Sequence, residues 1–370
     1  MKKFYLIALL VFGGALTLLI SCKKEFASNV NYGLRPLPGS PKLPSQPYSY
    51  PSGNNDLVTL GRVLFYDKNL SADGSVSCAS CHRQEYGFAD NKAFSTGSNS
   101  SQTLRNAHAI VNVNNSRFWD GKAVNYMQAV AVPFQSHLEL NMDMNAVCEK
   151  LANIPYYQYL FMKALPYCSN TITPNGLEQA LGAFLFNIKA ENTAYDQAFP
   201  PAGSGIQASG SLTQEELNGM AIFNGKGKCN LCHDPTNGFG GNLDQYEDIG
   251  LDSVYSDPGR AGITALAVDQ GRFHVPSLRN VALTAPYMHD GRFKTLEEVV
   301  DFFSNGVKNS PNLSSALSGH PVLTNDSYTT GATFFPIPLN VDEKKNLVAF
   351  LKTLTDYSLV NDIRYSDPFK

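Results

Sequence analysis

The stretch KCNLCHDPTNGFGG (residues 228–241) is the second appearance of a pattern first met in SCASCHRQEYGFAD (residues 77–90). Each copy holds a cysteine pair with histidine directly after it: Cys78, Cys81 and His82, then Cys229, Cys232 and His233. Each is followed at the same distance by Gly-Phe, as Gly87-Phe88 and Gly238-Phe239. A cysteine pair with an adjoining histidine is the pattern by which c-type haem is attached. The spacing lets two sulfurs reach the two vinyl groups of one haem, and the histidine supplies the proximal nitrogen to its iron. A zinc site would need two further ligands nearby, and neither half offers a second pair at suitable spacing. A thioredoxin-like redox pair needs a βαβ setting that this sequence lacks. Two motifs therefore predict two covalently bound haems.

The repetition extends beyond the cysteines. LRNA (residues 104–107) and FWDGKA (118–123) follow the first motif, and LRNV (278–281) and MHDGRF (288–293) follow the second. This is an internal duplication, with the boundary in the Pro/Gly/Ser-rich stretch 200–210. The predicted organisation is a signal segment at 1–22, a Pro-rich tether at 23–55, domains at 56–205 and 206–358, and a tail at 359–370. The predicted class is all-α: two cytochrome c-like domains, each with one haem, the haems facing a common interface.

The chain has 370 residues, enough for two domains. Its 43% hydrophobic and 16% charged content reads as globular. A net charge of −3, with no long basic run, argues against nucleic-acid binding. Lys2 and Lys3 precede an apolar run at 4–20, shorter than the ~20 residues a spanning helix needs. Leu19-Ile20-Ser21-Cys22 resembles a bacterial lipobox, which makes Cys22 a lipidated mature N-terminus. The competing reading is an uncleaved single anchor. Both place the body outside the cytoplasm, and the first makes it a periplasmic, lipid-anchored protein. Pro36, Pro38, Pro41, Pro44, Pro47 and Pro51 then stiffen the tether. Of the seven cysteines, Cys148 and Cys168 remain unassigned. In an oxidising compartment they form a disulfide or stay as two buried thiols.

Capping-box spacing marks helix starts at Thr213 with Glu216, Thr295 with Glu298 and Asn340 with Glu343. Pro174 suits a first helical position, with Leu177, Leu181, Phe184, Leu185 and Ile188 on one face. Leu347, Phe350, Leu351 and Leu354 line another helix. The long loops at 90–101 and 237–261 are expected to wrap a large prosthetic group. An enzyme that splits an O–O bond needs a proton-moving group beside its iron, whereas an electron carrier does not. PFQSHLELNM (133–142) offers Glu139, with Gln135 and His137 nearby.

From LGRVLFYDKNLSADGSVSCASCH through LRNA, FWDGKA, PFQSHLELNM, KCNLCH, GRFHVPSLRNVALTAPYMHDG and TLEEVVDFF, the chain resembles bacterial di-haem cytochrome c peroxidases. It equally resembles the related enzymes that mature methylamine dehydrogenase by oxidising tryptophans. The resemblance covers residues 56–356. It implies that His82 holds the peroxide-reacting haem and His233 the electron-accepting one. It implies that Glu139 is the distal acid–base carboxylate and Gln135 its neighbour. Trp119, the only tryptophan in the chain, matches a relay between the haems. Asn106, Thr284 and Pro286 match residues that hold an interdomain calcium ion, largely through backbone oxygens. The implied partners are hydrogen peroxide and a small cytochrome c or similar donor, and the family often forms homodimers. Arg105 and Arg279 suit haem propionates or the surface. His108, His274 and His320 read as structural or exposed.

Two departures from the family pattern stand out. The loop at 89–107 lacks the histidine that ligates the first iron at rest in many relatives, which predicts an open first haem. Phe303 stands where the resemblance places Met or Tyr as second axial ligand of the other haem, so that haem is either five-coordinate or borrows a ligand, Met288 and His289 being the nearest candidates. Three functions follow: a peroxidase, a maturation-type oxidase acting on a protein tryptophan or other large substrate, and a non-enzymatic di-haem electron carrier.

Overall fold

Two glycines mark the centres of the two halves. In this computed structural model, which describes residues 39–113, 118–123, 125–166, 171–201, 206–242, 244–318 and 336–370, each glycine lies at a helix crossing. The first half contains α1 (Asn55–Tyr66), α2 (Cys78–Cys81), α3 (Tyr126–Gln135), α4 (Met144–Ala152), α5 (Pro155–Ala164), α6 (Pro174–Asn187) and α7 (Ala194–Ala198). The second contains α8 (Gln214–Asn224), α9 (Ala261–Thr264), α10 (Leu296–Asp301), α11 (Ser315–Ser318) and α12 (Val341–Lys352). A Cβ placed on Gly61 of α1 would lie 1.9 Å from the Ala180 carbonyl oxygen of α6. A Cβ on Gly219 of α8 would lie 1.9 Å from the Asn346 carbonyl oxygen of α12. Only a residue without a side chain lets each helix pair come this close.

Around each crossing sits the same aromatic trio. Phe65 meets Phe184 at 5.2 Å and Phe88 at 6.2 Å between ring centroids. Phe223 meets Phe350 at 5.3 Å and Phe239 at 5.8 Å. All six rings are essentially inaccessible. Phe88 and Phe239 come from the Gly-Phe of the two cysteine motifs, so the crossing of each half is packed directly onto its motif. The duplication seen in the sequence is thus repeated in three dimensions.

The helix starts follow local chemistry. Thr213, Thr295 and Asn340 each cap their helix with reciprocal bonds to Glu216, Glu298 and Glu343. Thr173 caps α6, and Pro174 occupies its first turn, where a missing N–H costs nothing. Leu347, Phe350, Leu351 and Leu354 are buried in the second core. Among the described residues the only sheet is β1 (Tyr246–Glu247) paired antiparallel with β2 (Phe273–His274), so the fold is mostly helical.

Residues 359–370, expected as a tail, are docked. Leu359 and Tyr365 belong to the first core, and the Arg62 guanidinium donates to the Ser366 carbonyl at 2.7 Å. The end of the expected tether is docked as well: Tyr50 is buried and its hydroxyl donates to the Arg364 carbonyl at 2.9 Å. Gly39–Lys370 form one compact unit. Met1–Pro38, including Cys22, lie outside the described residues, as do Cys168 and His320. Whether Cys148 pairs with Cys168 therefore lies outside the described residues. Among the described residues no helix is long and apolar enough to cross a membrane.

Candidate haem sites

Both motifs fold into one tight turn. The His82 amide donates to the Cys78 carbonyl, and the His233 amide to the Cys229 carbonyl, each at 2.9 Å. Gly87 and Phe88 then take φ of 62° and 60°, and Gly238 and Phe239 take 65° and 59°. Two successive left-handed residues turn the chain back, which explains why glycine opens the reversal. The reversal brings the Phe88 carbonyl to 3.1 Å from His82 Nδ1 and the Phe239 carbonyl to 3.2 Å from His233 Nδ1. A carbonyl oxygen only accepts, so Nδ1 carries the proton in both rings. Nε2 is left with its lone pair, the arrangement a metal-ligating histidine needs. Burial lowers the pKa of His82, and that of His233 to about 4, so both rings are neutral.

The cysteines fit thioether bonds to haem better than free thiolates. Burial pushes Cys78 up to about 12 and Cys81 to about 11, and Cys229 and Cys232 each to about 12. Surroundings that disfavour a charged sulfur accommodate a neutral thioether. Among the described residues there is no group of three or more His, Cys, Asp or Glu able to hold a metal ion.

At the first motif, Pro133 lies near the end of α3, and the chain reverses at Ser136. The amides of Leu140 and Met142 donate back to the Pro133 and Phe134 carbonyls at 3.0 and 2.9 Å. This return carries Glu139 to the first motif, where its charge acts on both Cys78 and Cys81. Burial raises the pKa of Glu139, against the opposing charge of Lys122 and the hydroxyl of Ser136. Gln135, by contrast, is exposed at the end of α3, and His137 is exposed in the turn. The loop that lacks a histidine is pinned over the motif. Ser95 donates to Asp90 at 2.6 Å, and the Ser98 amide donates to the Glu139 carbonyl at 2.8 Å. A Cβ on Gly97 would lie 2.0 Å from the Leu138 carbonyl oxygen, so that approach also requires glycine.

The second motif opens into a cavity of about 440 Å³, within the range of cofactor sites. Cys229, Cys232 and His233 line it, as do Trp119 and Phe303. Phe303 sits in a π-helical turn, Phe302–Gly306, that continues α10. Such turns occur often at functional sites. Met288, at φ 74°, also lines the cavity. His289 is buried and stacks on Phe273 at 3.8 Å and 12°.

Trp119 comes from the first half but packs into a cluster of second-half residues with Met288, Phe293 and Phe303. Its backbone carbonyl accepts from the His274 amide at 2.8 Å. Asn106, Thr284 and Pro286 line the same cavity. The Asn106 amide donates to the His289 carbonyl at 2.7 Å. The two arginines are taken up by carboxylates of the protein. Arg105 forms a fork with Asp257 at 2.7 Å and also binds Asp120, and Arg279 binds Asp196 at 2.7 and 2.8 Å.

His108 was read from the sequence as structural or exposed, and Glu247 was not singled out at all. His108 meets Trp119 edge-on at 5.4 Å and acts electrostatically with both His82 and His274, so it lies near the first motif as well as the tryptophan. Aligning the two repeats would have exposed it, because the second copy has Ala282 there. Glu247 on β1 places its charge near Cys232. No spacing pattern announces it.

The sequence profile described as "Di-haem cytochrome c peroxidase" matches residues 55–201. Cytochrome-c peroxidase IdrP2 of Denitromonas iodatirespirans is 31% identical, over 82% of this chain and 83% of its own. Methylamine utilization protein MauG of Methylorubrum extorquens is 31% identical, over 80% of this chain and 77% of its own. Among solved structures, a MauG-like protein associated with microbial copper homeostasis superposes with a TM-score of 0.72 at 29% identity, covering 90% of this chain and 99% of its own.

Proposed function

This chain belongs to the di-haem cytochrome c peroxidase family of haem oxidoreductases, and from that premise we propose that it reduces hydrogen peroxide to water. The family implies two c-type haems. The balance is one peroxide, two electrons and two protons giving two waters. The electrons come singly from a small exported cytochrome c or similar donor.

The observation that carries this reading is Glu139, a carboxyl of raised pKa whose charge reaches the cysteines of the first motif. There it moves a proton from one peroxide oxygen to the other, so that water can leave. Haem iron at His82 supplies the site where peroxide binds and gains electrons. His82 and His233 hold Nε2 ready through the Phe88 and Phe239 carbonyls. Trp119, wedged among second-half residues, carries electrons from the second site to the first, and His108 extends that contact toward His82. Gln135 is exposed, and a distal role for it requires the α3 end to turn inward on substrate binding. Domains at 56–205 and 206–358 each hold one haem. Asn106, Thr284 and Pro286 hold a calcium ion between them through neutral oxygens. The protein is periplasmic and tethered by lipidated Cys22.

Glu139→Gln tests the assignment. It should lower peroxide turnover by about 10²–10⁴-fold, the range of acid–base catalysis, with both haems still attached. Turnover equal to wild type would remove Glu139 from the reaction. A second reading, oxidation of a protein tryptophan or other large substrate, is favoured by Phe303 in the cavity wall and by the likeness to MauG. A peroxide-dependent oxidation that needs no small cytochrome donor would select it.

A further inference from the structure

We propose that the second site is a ligand-binding haem centre in its own right, open on its Phe303 side and taking diatomic or peroxide-sized molecules that enter past Glu247. This rests on the reading that Cys229, Cys232 and His233 hold a haem.

The wall that α10 and the π-helical turn give to the cavity consists of Leu296, Val299, Val300, Phe303 and Ser304. The first four have no lone pair for iron. The Ser304 hydroxyl donates to the Ile337 carbonyl at 2.9 Å and accepts from the Leu339 amide at 3.3 Å, so it is engaged by the backbone. The imidazoles in the lining pack on aromatic neighbours: His289 on Phe273 at 3.8 Å, His108 on Trp119 at 5.4 Å and His274 on Tyr246 at 5.5 Å. The thioether of Met288 is a soft donor in the lining. It packs in the cluster that contains Trp119, Phe293 and Phe303, and this packing holds it among rings.

An entrance is also present. Asn237 and Glu247 line both the cavity and an open polar cleft formed with Asp244, Gln245 and Arg272. The cavity's volume and its apolar wall on the Phe303 side suit diatomic or peroxide-sized ligands.

Carbon monoxide is the probe. Haem content per chain is first measured from the alkaline pyridine spectrum, and reduced protein is then titrated with carbon monoxide. The expected result is two haems and two bound carbon monoxide molecules per chain. Phe303→Met or Phe303→Tyr, each supplying a ligand from the π turn, should lower the bound number by one with haem content unchanged. Met288→Leu should leave it at two. A wild-type value of one that falls to zero in a Phe303 variant keeps the proposal and assigns the closed site to the first motif. A wild-type value, whether one or two, that neither Phe303 variant lowers overturns the proposal. A wild-type value of one that rises in Met288→Leu assigns the thioether as ligand and also overturns it. Fewer than two haems per chain would overturn the di-haem reading itself, and this inference with it.

Discussion

The indole of Trp119 donates its Nε1–H to the backbone carbonyl of Asn106 at 2.9 Å. One bond thus joins the residue proposed to carry electrons to a residue proposed to hold calcium. The same Asn106 amide bonds to His289 of the second half, so the tryptophan is fixed from both sides of the duplication. Trp119→Phe keeps an aromatic ring but removes the donor, at about 1 kcal/mol in stability. Peroxide turnover should fall while both haem spectra stay unchanged. Stopped-flow measurement of electron arrival at the first haem checks this, and an unaltered rate would exclude a relay through the indole.

Calcium is predicted to bind weakly. Asn106, Thr284 and Pro286 offer neutral oxygens, and affinity falls as carboxylates are lost from a site, so a dissociation constant on the order of 10⁻⁴ M is expected. Chelation should lower turnover without releasing haem, and added calcium should restore it. Calorimetric titration of the chelated protein checks the affinity. Nanomolar binding would require carboxylate ligands that these residues do not supply.

The raised pKa of Glu139 has a stability consequence of definite sign. Because burial makes the folded state hold this proton to higher pH than the unfolded chain does, the folded state binds more protons in between. Stability is then lost as pH rises from the unfolded carboxyl value through the raised folded one, and the whole penalty is present above it. Glu139→Gln removes that penalty. The variant should melt higher than wild type at pH 7, with the gap closing as pH falls toward the unfolded carboxyl value. Melting curves across that interval measure it, and a gap that widens on acidification would reverse the sign.

The helix crossings make a sharper structural prediction. Gly61→Ala and Gly219→Ala each push a methyl group against a carbonyl oxygen, and overpacking of this kind costs about 1–3 kcal/mol. Phe65→Ala and Phe223→Ala, which empty the aromatic trios, should each cost about 3–5 kcal/mol. Denaturant melts check all four. Equal losses at matching positions of the two halves are expected from their matched packing.

The duplication, the two matching motif turns and the capped helix starts were legible because each depends on short-range spacing. Thr213 with Glu216 defines a cap whatever surrounds it. The Gly-Phe after each histidine was visible as a repeat, but its purpose was not: only the fold shows Phe88 and Phe239 presenting carbonyls to the imidazoles while packing on the crossings. His108 and Glu247 were hidden for a different reason. Their neighbours, Trp119 and His82 for one and Cys232 for the other, are brought near by long-range packing. The docking of residues 359–370 was equally hidden, since Arg62 and Ser366 meet across almost the whole chain. Arg105 and Arg279 looked suited to propionates because sequence shows an arginine's charge but not the aspartates already beside it.

The most direct test is steady-state oxidation of a reduced small cytochrome c by hydrogen peroxide, using the lipid-free, fully oxidised protein with calcium present. The account predicts rapid turnover from the first mixing, without prior reduction, because no histidine in the loop at 89–107 closes the first haem. No turnover from protein carrying two haems would contradict the peroxidase reading and leave oxidation of a large substrate as the function to pursue.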